Sequence, residues 1–434
     1  MNKRQFLKTS GGLIASSMLS RLNAEEQRKN WAGNYQFKAG KVYLPNSIQE
    51  VQEIVRQHEK LKAVGARHSF NNIADSPGAQ ISLERLRSIS VDPASRTVTV
   101  TADLKYGDVA RYVTGEGWAL HNLASLPHIS VAGACATGTH GSGNKNGNLS
   151  TAVRAMEVVT ADGSLVTKSH EEAGAVVHLG GLGVVTKITL AIQPAYEVSQ
   201  VVYENLSFTH LERHLEEIFA SGYSVSLFTD WQNHQATQVW VKSRGAVKPQ
   251  SDFYGAKPAT KKLHPLAGHS AESCTDQLGV PGAWYERLPH FKMNFTPSSG
   301  DELQSEYFVP RDRAYEAILA VEKLRDQITP HLMITELRTI DADNLWMSPC
   351  YKRPSMAIHF TWKPEWPAVK NILPLIEEQL APFEARPHWA KLFTMPPSHL
   401  QSLYEKLPAF RALLKQYDPT GKFRNEYLST NLSP

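Results

Sequence analysis

Val64-Gly65-Ala66-Arg67-His68-Ser69-Phe70-Asn71 follows a short apolar run and is flanked by loop-forming residues. It predicts a tight turn with its backbone N–H groups free, and such a turn holds a phosphate-like anion without help from side-chain charge. A second run, Ser125 to Gly143 (SLPHISVAGACATGTHGSG), is made almost wholly of small residues and hydroxyls, which lets a bulky ligand approach the backbone closely. A third, Leu179-Gly180-Gly181-Leu182-Gly183-Val184-Val185-Thr186, leads straight into a strand. Any one glycine-rich run is ordinary turn chemistry. Two familiar nucleotide motifs are excluded. Gly138 to Lys145 reads GTHGSGNK, where Asn144 separates Gly143 from Lys145 and breaks the phosphate-loop pattern. No GxGxxG opens a helix after a strand, which disfavours a Rossmann site.

The 434 residues are enough for about two or three domains at ~150 residues each. Lys and Arg total 46 against 42 Asp and Glu, and the basic residues are scattered, so charge gives no support to nucleic-acid binding. Cys135, Cys274 and Cys350 are far apart and form neither a disulfide framework nor a metal-ligand spacing. His210 and His214 stand four apart on an expected helix, but HExxH is not completed, so a surface helix is expected and no metal. Trp231, Trp240, Trp284 and Trp362 are read as packing residues.

Lys3 and Arg4, followed by an apolar stretch from Gly11 to Leu19, form an export-signal pattern over residues 1–24. The stretch is too short to span a ~30 Å hydrocarbon core, so no stable membrane insertion is expected. Asn2 to Lys8 resembles a twin-arginine signal with lysine in place of the first arginine, which predicts a periplasmic location; the alternative is a cytoplasmic one.

From Trp31 to about Tyr196, short β-rich runs such as 96–101 and 184–192 surround one amphipathic helix at 51–59. From about Glu197, helical stretches at 211–220, 313–325 and 368–380 alternate with apolar strands, which predicts a sheet covered by helices on one face. The boundary is placed near Pro194, and 248–281 reads as a long ordered loop.

The second half carries polar or aromatic pairs at i and i+2, a spacing that sends both side chains to one face of a strand. They are Glu336 with Arg338, His359 with Thr361, and Trp389 with Lys391. Between and beside them Leu337, Ile358, Phe360 and Trp362 face the core. Such a face suits a polyhydroxylated ligand, because each buried hydroxyl left without a partner costs ~1–3 kcal/mol.

The turn ending His68-Ser69, the SLPHISVAG and ATGTHGSG runs, the GGLGVVT strand start and the terminal DPTGKFRNEY (418–427) resemble the vanillyl-alcohol-oxidase superfamily of flavoproteins. Within it the likeness is greatest to the alditol oxidases, including xylitol oxidase, and runs from Asn30 nearly to the C-terminus. The resemblance implies an α+β, two-domain FAD-linked oxidase fold. An FAD-binding domain is expected over 25–198, with a C-terminal return at 393–434, and a substrate domain over 199–392. It implies FAD bonded covalently to His68, where many relatives carry glycine just before the histidine and this chain has Arg67. FAD contacts are expected from Val64, Gly65, Ala66, Arg67, His68, Ser69 and Phe70, and from Ser125, Ser130 and Gly133. Ala136, Thr137, Gly138, Thr139, Val184, Val185 and Thr361 complete that set.

By the same resemblance Ser125, Glu336, Arg338, Thr361 and Lys391 bind a small polyol. Arg338 and Lys391 then stabilise developing charge, and either His359 or Lys391 takes the hydroxyl proton. The expected reaction is oxidation of a terminal alditol hydroxyl to the aldehyde with O2 reduced to H2O2, by a monomer. The alternatives are an aldonolactone oxidase or carrier-linked dehydrogenase of the same superfamily, which Glu336 disfavours, and a non-catalytic flavin-binding protein, which the full polar set disfavours.

Overall fold

The structure, a computed structural model, describes residues 28–295 and 302–433, so the expected export signal lies outside the described residues. In the first half, Lys41–Tyr43, Ala79–Ile81 and Leu61–Ala63 form a parallel three-stranded sheet in that spatial order. Beside it Ile89–Asp92, Thr97–Thr101, Val184–Ala191, Val153–Val159 and Leu165–Ser169 form an antiparallel five-stranded sheet. The expected helix at 51–59 is found at Ile48–Gln57. Ser47 starts it early: its hydroxyl accepts from Glu50 N (3.1 Å) while the Glu50 carboxylate reaches back to Asn46 N (2.8 Å), a reciprocal cap of the kind that fixes helix starts.

The second half is dominated by one antiparallel sheet. Its spatial order is Lys257–Pro258, Glu197–Ser207, Gln235–Arg244, Ser224–Thr229, Leu332–Ile340, Ser355–Trp362, Leu303–Pro310 and Arg386–Pro387, with Gly282–Ala283 also paired to Glu197–Ser207. Three helices, Phe208–Ala220, Ala314–Glu322 and Trp366–Leu380, cover one face. The expected helix at 313–325 ends at Glu322, and a separate turn follows at Arg325–Ile328. Period-two alternation decides which side chains go under the helices. Leu337, Ile358, Phe360 and Trp362 are fully buried there, and Trp231 joins them, its indole N–H held by Thr335 Oγ1 at 2.8 Å.

The opposite face is polar, and register aligns it. Glu336 and Glu306 both lie opposite His359, so the three strands place Glu336, His359 and Glu306 in one row. Gln304 and Thr361 pair in the next row.

Two apolar cores support these layers. One gathers residues from Val51 to Val198, takes back the C-terminal stretch from Trp389 to Leu432, and includes Trp284, Leu288, Leu345 and Met347. The other gathers Val201 to Leu392 with Phe70. The turn at 64–71 joins them. Phe70 N donates to Ala390 O (2.7 Å), and the Asn71 amide donates to the carbonyls of Trp389 (2.9 Å) and Lys391 (2.8 Å).

Within that turn Arg67 has φ +62°, the left-handed region where a Cβ is strained by roughly 1–2 kcal/mol. This is the position at which many relatives have glycine. The side chain returns little, a 3.4 Å bond from Arg67 Nη1 to Lys29 O at the surface. Arg67→Gly is therefore expected to melt at or above the parent temperature and above Arg67→Ala. Thermal melts that rank glycine below alanine would show that the turn is not strained.

Candidate active site

A cavity of about 500 Å³ lies between the glycine-rich walls of the first half and the polar sheet face of the second. On one side it is lined by Val64 to Phe70, by Ser125, Ser130, Gly133, Ala136, Thr137 and Thr139, and by Gly180. On the other are Glu306, Glu336, Arg338, His359, Thr361 and Lys391. Of the residues named from sequence, Gly138, Val184 and Val185 are not part of this lining: Val184 and Val185 are buried in the first core, and Gly138 lies behind the wall at φ +67°.

The two glycine-rich runs cross at Gly65 and Ser130. A Cβ on Gly65 would stand 2.3 Å from Ser130 Oγ, and that hydroxyl accepts Ala66 N–H at 3.3 Å. Among the described residues, the N–H groups of Arg67, His68 and Ser69 find no protein acceptor. A concave wall with unspent backbone donors is the surface a pyrophosphate-bearing cofactor requires, so the residues present fit FAD. His68 sits in this wall, stacked on Trp31 with ring centroids 4.8 Å apart, its Nδ1 3.0 Å from Ala66 O. Burial lowers its pKa to about 4, so the ring is neutral and keeps a lone pair.

The polar face is an ionic network. Arg338 Nη2 donates to Glu306 Oε1 at 2.7 Å, Nη1 donates to Ser125 Oγ at 3.1 Å, and Nε stands 3.6 Å from Glu336 Oε2. Lys391 Nζ is 2.8 Å from Glu306 Oε2 and 2.6 Å from His359 Nδ1, while His359 Nε2 meets Thr361 Oγ1 at 3.1 Å. His140 Nε2 adds a contact to Glu306 Oε1 at 3.2 Å. On the outer side His290 Nε2 lies 2.7 Å from Glu336 Oε1.

Burial alone would raise both carboxylates. Lys391, His140 and Arg338 instead hold Glu306 well below its usual range, and Arg338 and His290 do the same for Glu336. Burial outweighs the pull of Glu306 and lowers Lys391. Burial, then the Lys391 charge, lowers His359 to about 4.

The expected strand pairs hold for Glu336 with Arg338 and His359 with Thr361, but the third requires correction. Trp389 and Lys391 lie in a turn after the short strand Arg386–Pro387. Trp389 packs in the first core, with its indole N–H on Met347 O at 2.7 Å, and His388, Ala390 and Lys391 are the residues that line the cavity. Asn71 fixes that turn from the first half of the chain, which no local spacing announces. Sequence reasoning also missed Glu306, His140 and His290. Gln304 and Glu306 alternate in LQSEYFVP as Glu336 and Arg338 do in their strand, and that signal was available.

Two family models match the chain: one described as FAD binding domain, over residues 39–169, and one described as D-arabinono-1,4-lactone oxidase, over residues 298–431. The chain is 47% identical over 407 residues to the alditol oxidase of a Streptomyces species, covering 92% of this chain and 97% of that protein. It is 26% identical over 431 residues to the L-gulonolactone oxidase of Mus musculus, covering 93% of this chain and 97% of that protein. A solved structure of cholesterol oxidase from Brevibacterium sterolicum has the same fold, with a TM-score of 0.74 at 14% identity over 93% of this chain and 96% of that one.

The buried neutral histidines set a stability limit at low pH. His68, His178, His290 and His359 all have folded pKa values lowered to about 4, against ~6.5 in the unfolded chain. The unfolded state binds more protons across that window, so this stability is complete above pH ~6.5 and is lost as pH falls towards 4, at roughly 1.4 kcal/mol per pH unit for each histidine. Below pH ~4.5 the loss of ionised Glu306 and Glu336 adds to it. Urea midpoints are expected to fall gently from pH 8 to 7, where Lys62 and Lys242, lowered by burial to about 7, bind fewer protons folded than unfolded, and to fall steeply from 6.5 to 5. A level midpoint down to pH 5 would contradict this.

Proposed function

The chain belongs to the alditol oxidase family of FAD-linked oxidases, and from that membership and the polar face of its cavity we propose that it oxidises the terminal CH–OH of an alditol such as xylitol or sorbitol. The products in this reading are the aldehyde and, from O2, hydrogen peroxide. The observation that carries it is the buried row Glu336, His359 and Glu306 with Arg338 and Lys391 beside it. This surface offers both acceptors and donors, and adjacent hydroxyls need both.

FAD, when bound, supplies the hydride acceptor and the route for two electrons to oxygen. The backbone of Val64 to Phe70, with Ser130, Gly133, Ala136, Thr137 and Thr139, holds it, and His68 is its covalent tether. The neutral, solvent-shielded ring of His68 supports the tether, because a lone pair is what such a bond consumes. Gly138, Val184 and Val185 support the wall from behind.

Glu336 accepts from the hydroxyl next to the reacting one, and Ser125 and Thr361 contact the polyol on either side. Arg338, pinned by Glu306, keeps its charge beside the reacting oxygen as negative charge develops there. Between the two possible proton acceptors the geometry favours Lys391. Both His359 nitrogens are engaged, one with Lys391 and the other with Thr361, while Lys391 has a lowered pKa and a position left open toward the cavity.

A lactone substrate is the second reading, favoured by the family model over 298–431. It makes less use of Glu336, since a lactone carbonyl wants a donor. Residues 1–24 are read as an export signal that carries the folded protein to the periplasm.

Acid-denatured protein is expected to keep its yellow colour on the polypeptide, and His68→Ala to release it. The native enzyme is expected to make peroxide with xylitol or sorbitol in preference to L-gulonolactone. Lys391→Ala should lower kcat by about 100-fold or more in protein that still binds FAD. Turnover within tenfold of the parent would remove Lys391 from its role, and colour that washes free of the parent protein would remove the tether.

A further inference from the structure

Behind Glu336 lies a second buried cation that the chemistry above does not use. Lys242 is on the strand Gln235–Arg244, separated from the Glu336 strand by Ser224–Thr229, and its side chain is sealed from solvent and outside the cavity lining. Its ammonium has three N–H groups, and three acceptors meet them: Leu288 O at 2.5 Å, Pro289 O at 3.1 Å and His290 Nδ1 at 3.0 Å. The other nitrogen of the same ring, Nε2, is the one 2.7 Å from Glu336 Oε1. Phe228 and Trp240 meet the ring edge-on and exclude water.

A nitrogen that accepts from an ammonium carries no proton of its own. His290 must therefore be neutral with its proton on Nε2, and that proton is donated to Glu336. We infer that Lys242 is a positioning residue for substrate binding: by occupying His290 Nδ1 it makes His290 a neutral, one-way donor that orients Glu336 without placing a second full charge against it. This rests on the reading of Glu336 as the acceptor for a substrate hydroxyl. An imidazolium in the same place would form a tight ion pair with Glu336 and compete with the hydroxyl.

The charged and titratable groups facing His290 are Lys242, Glu336 and Arg338, with Cys274 beside Lys242. Burial, then the Lys242 charge, lowers His290 to about 4, consistent with the neutral form. Burial outweighs the pull of Glu336 and lowers Lys242 to about 7, so the ammonium that donates to His290 Nδ1 is the main form below that pH.

Removing the lysine while keeping its stem tests the relay. Lys242→Met is expected to raise KM for xylitol tenfold or more, with kcat within threefold of the parent. It should also change the dependence of KM on pH between 6 and 8, because the parent's Lys242 titrates in that window and the variant has only a His290 free to charge or to switch its proton. Lys242→Arg should recover part of the loss. Thr275→Val is the control for loop anchoring, since Thr275 Oγ1 bonds the backbone carbonyls of Pro289 (2.8 Å) and His290 (3.4 Å) but neither the His290 ring nor the Lys242 ammonium; its KM should stay near the parent value.

A Thr275→Val variant that reproduces the Lys242→Met effect would overturn the proposal, as would a Lys242→Met enzyme with the parent KM and pH profile. Nitrogen-15 NMR of labelled histidine, assigned with His290→Gln, reads the relay without substrate. The parent at pH 6 should show a neutral ring protonated on Nε2, and Lys242→Met should abolish that signal. A parent ring in any other state overturns the inference. If the parent fails to oxidise xylitol yet shows this tautomer, the alditol reading falls and the Lys242–His290–Glu336 relay remains.

Discussion

Glu306 is the interaction on which the site depends. A carboxylate with no exposure to water carries a desolvation penalty of several kcal/mol, and only close, well-directed partners offset it. Arg338 and Lys391 reach it from different directions, one from the neighbouring sheet region and one from a turn held by Asn71, while His140 comes from the glycine-rich run. Three separate parts of the chain are thus gathered on one anion. Their positions are over-determined, and Arg338 and Lys391 are presented to the cavity in fixed geometry.

The same logic explains why the sheet rather than the loops defines the polar face of the cavity. In an antiparallel sheet, directly opposed residues are about 5 Å apart, and i, i+2 neighbours about 7 Å. Glu336, His359 and Glu306 fall in one such row, with Thr361 and Gln304 in the next. Polar groups on that lattice match the scale of a chain of adjacent hydroxyls, and the helices on the other face keep it rigid through Leu337, Ile358, Phe360 and Trp362.

Much of this was legible before any coordinates. The glycine-rich runs, Glu336 with Arg338, and His359 with Thr361 are local patterns, and local patterns survive folding because register preserves the two-residue period. What stayed hidden depends on contacts between distant segments. Lys391 was read onto a strand with Trp389 because their spacing mimics one; the actual turn is dictated by Asn71, more than 300 positions away in sequence. His290 sits in an irregular loop with no periodic neighbour, so nothing local distinguishes it from a surface histidine. Glu306 differs, since the alternation in its strand was visible, but its value lies in partners that only the sheet register supplies. Arg67 shows the reverse case. The departure from glycine was plain in the sequence, and its cost becomes definite only with its positive φ.

The balance of charge on the face also decides which ligand groups it can satisfy. Glu306 is held internally, its Oε1 by Arg338 and His140 and its Oε2 by the charge of Lys391, whereas Glu336 has His290 and a 3.6 Å approach from Arg338 and lines the cavity with acceptor capacity to spare. An ionised carboxylate accepts up to about four hydrogen bonds. A hydroxyl can donate to one of the remaining sites, and a carbonyl placed at the same position cannot. A ligand without a donor there leaves a buried carboxylate short of partners, a penalty of roughly 1–3 kcal/mol or more for a charged group, whereas a polyol restores what desolvation removed.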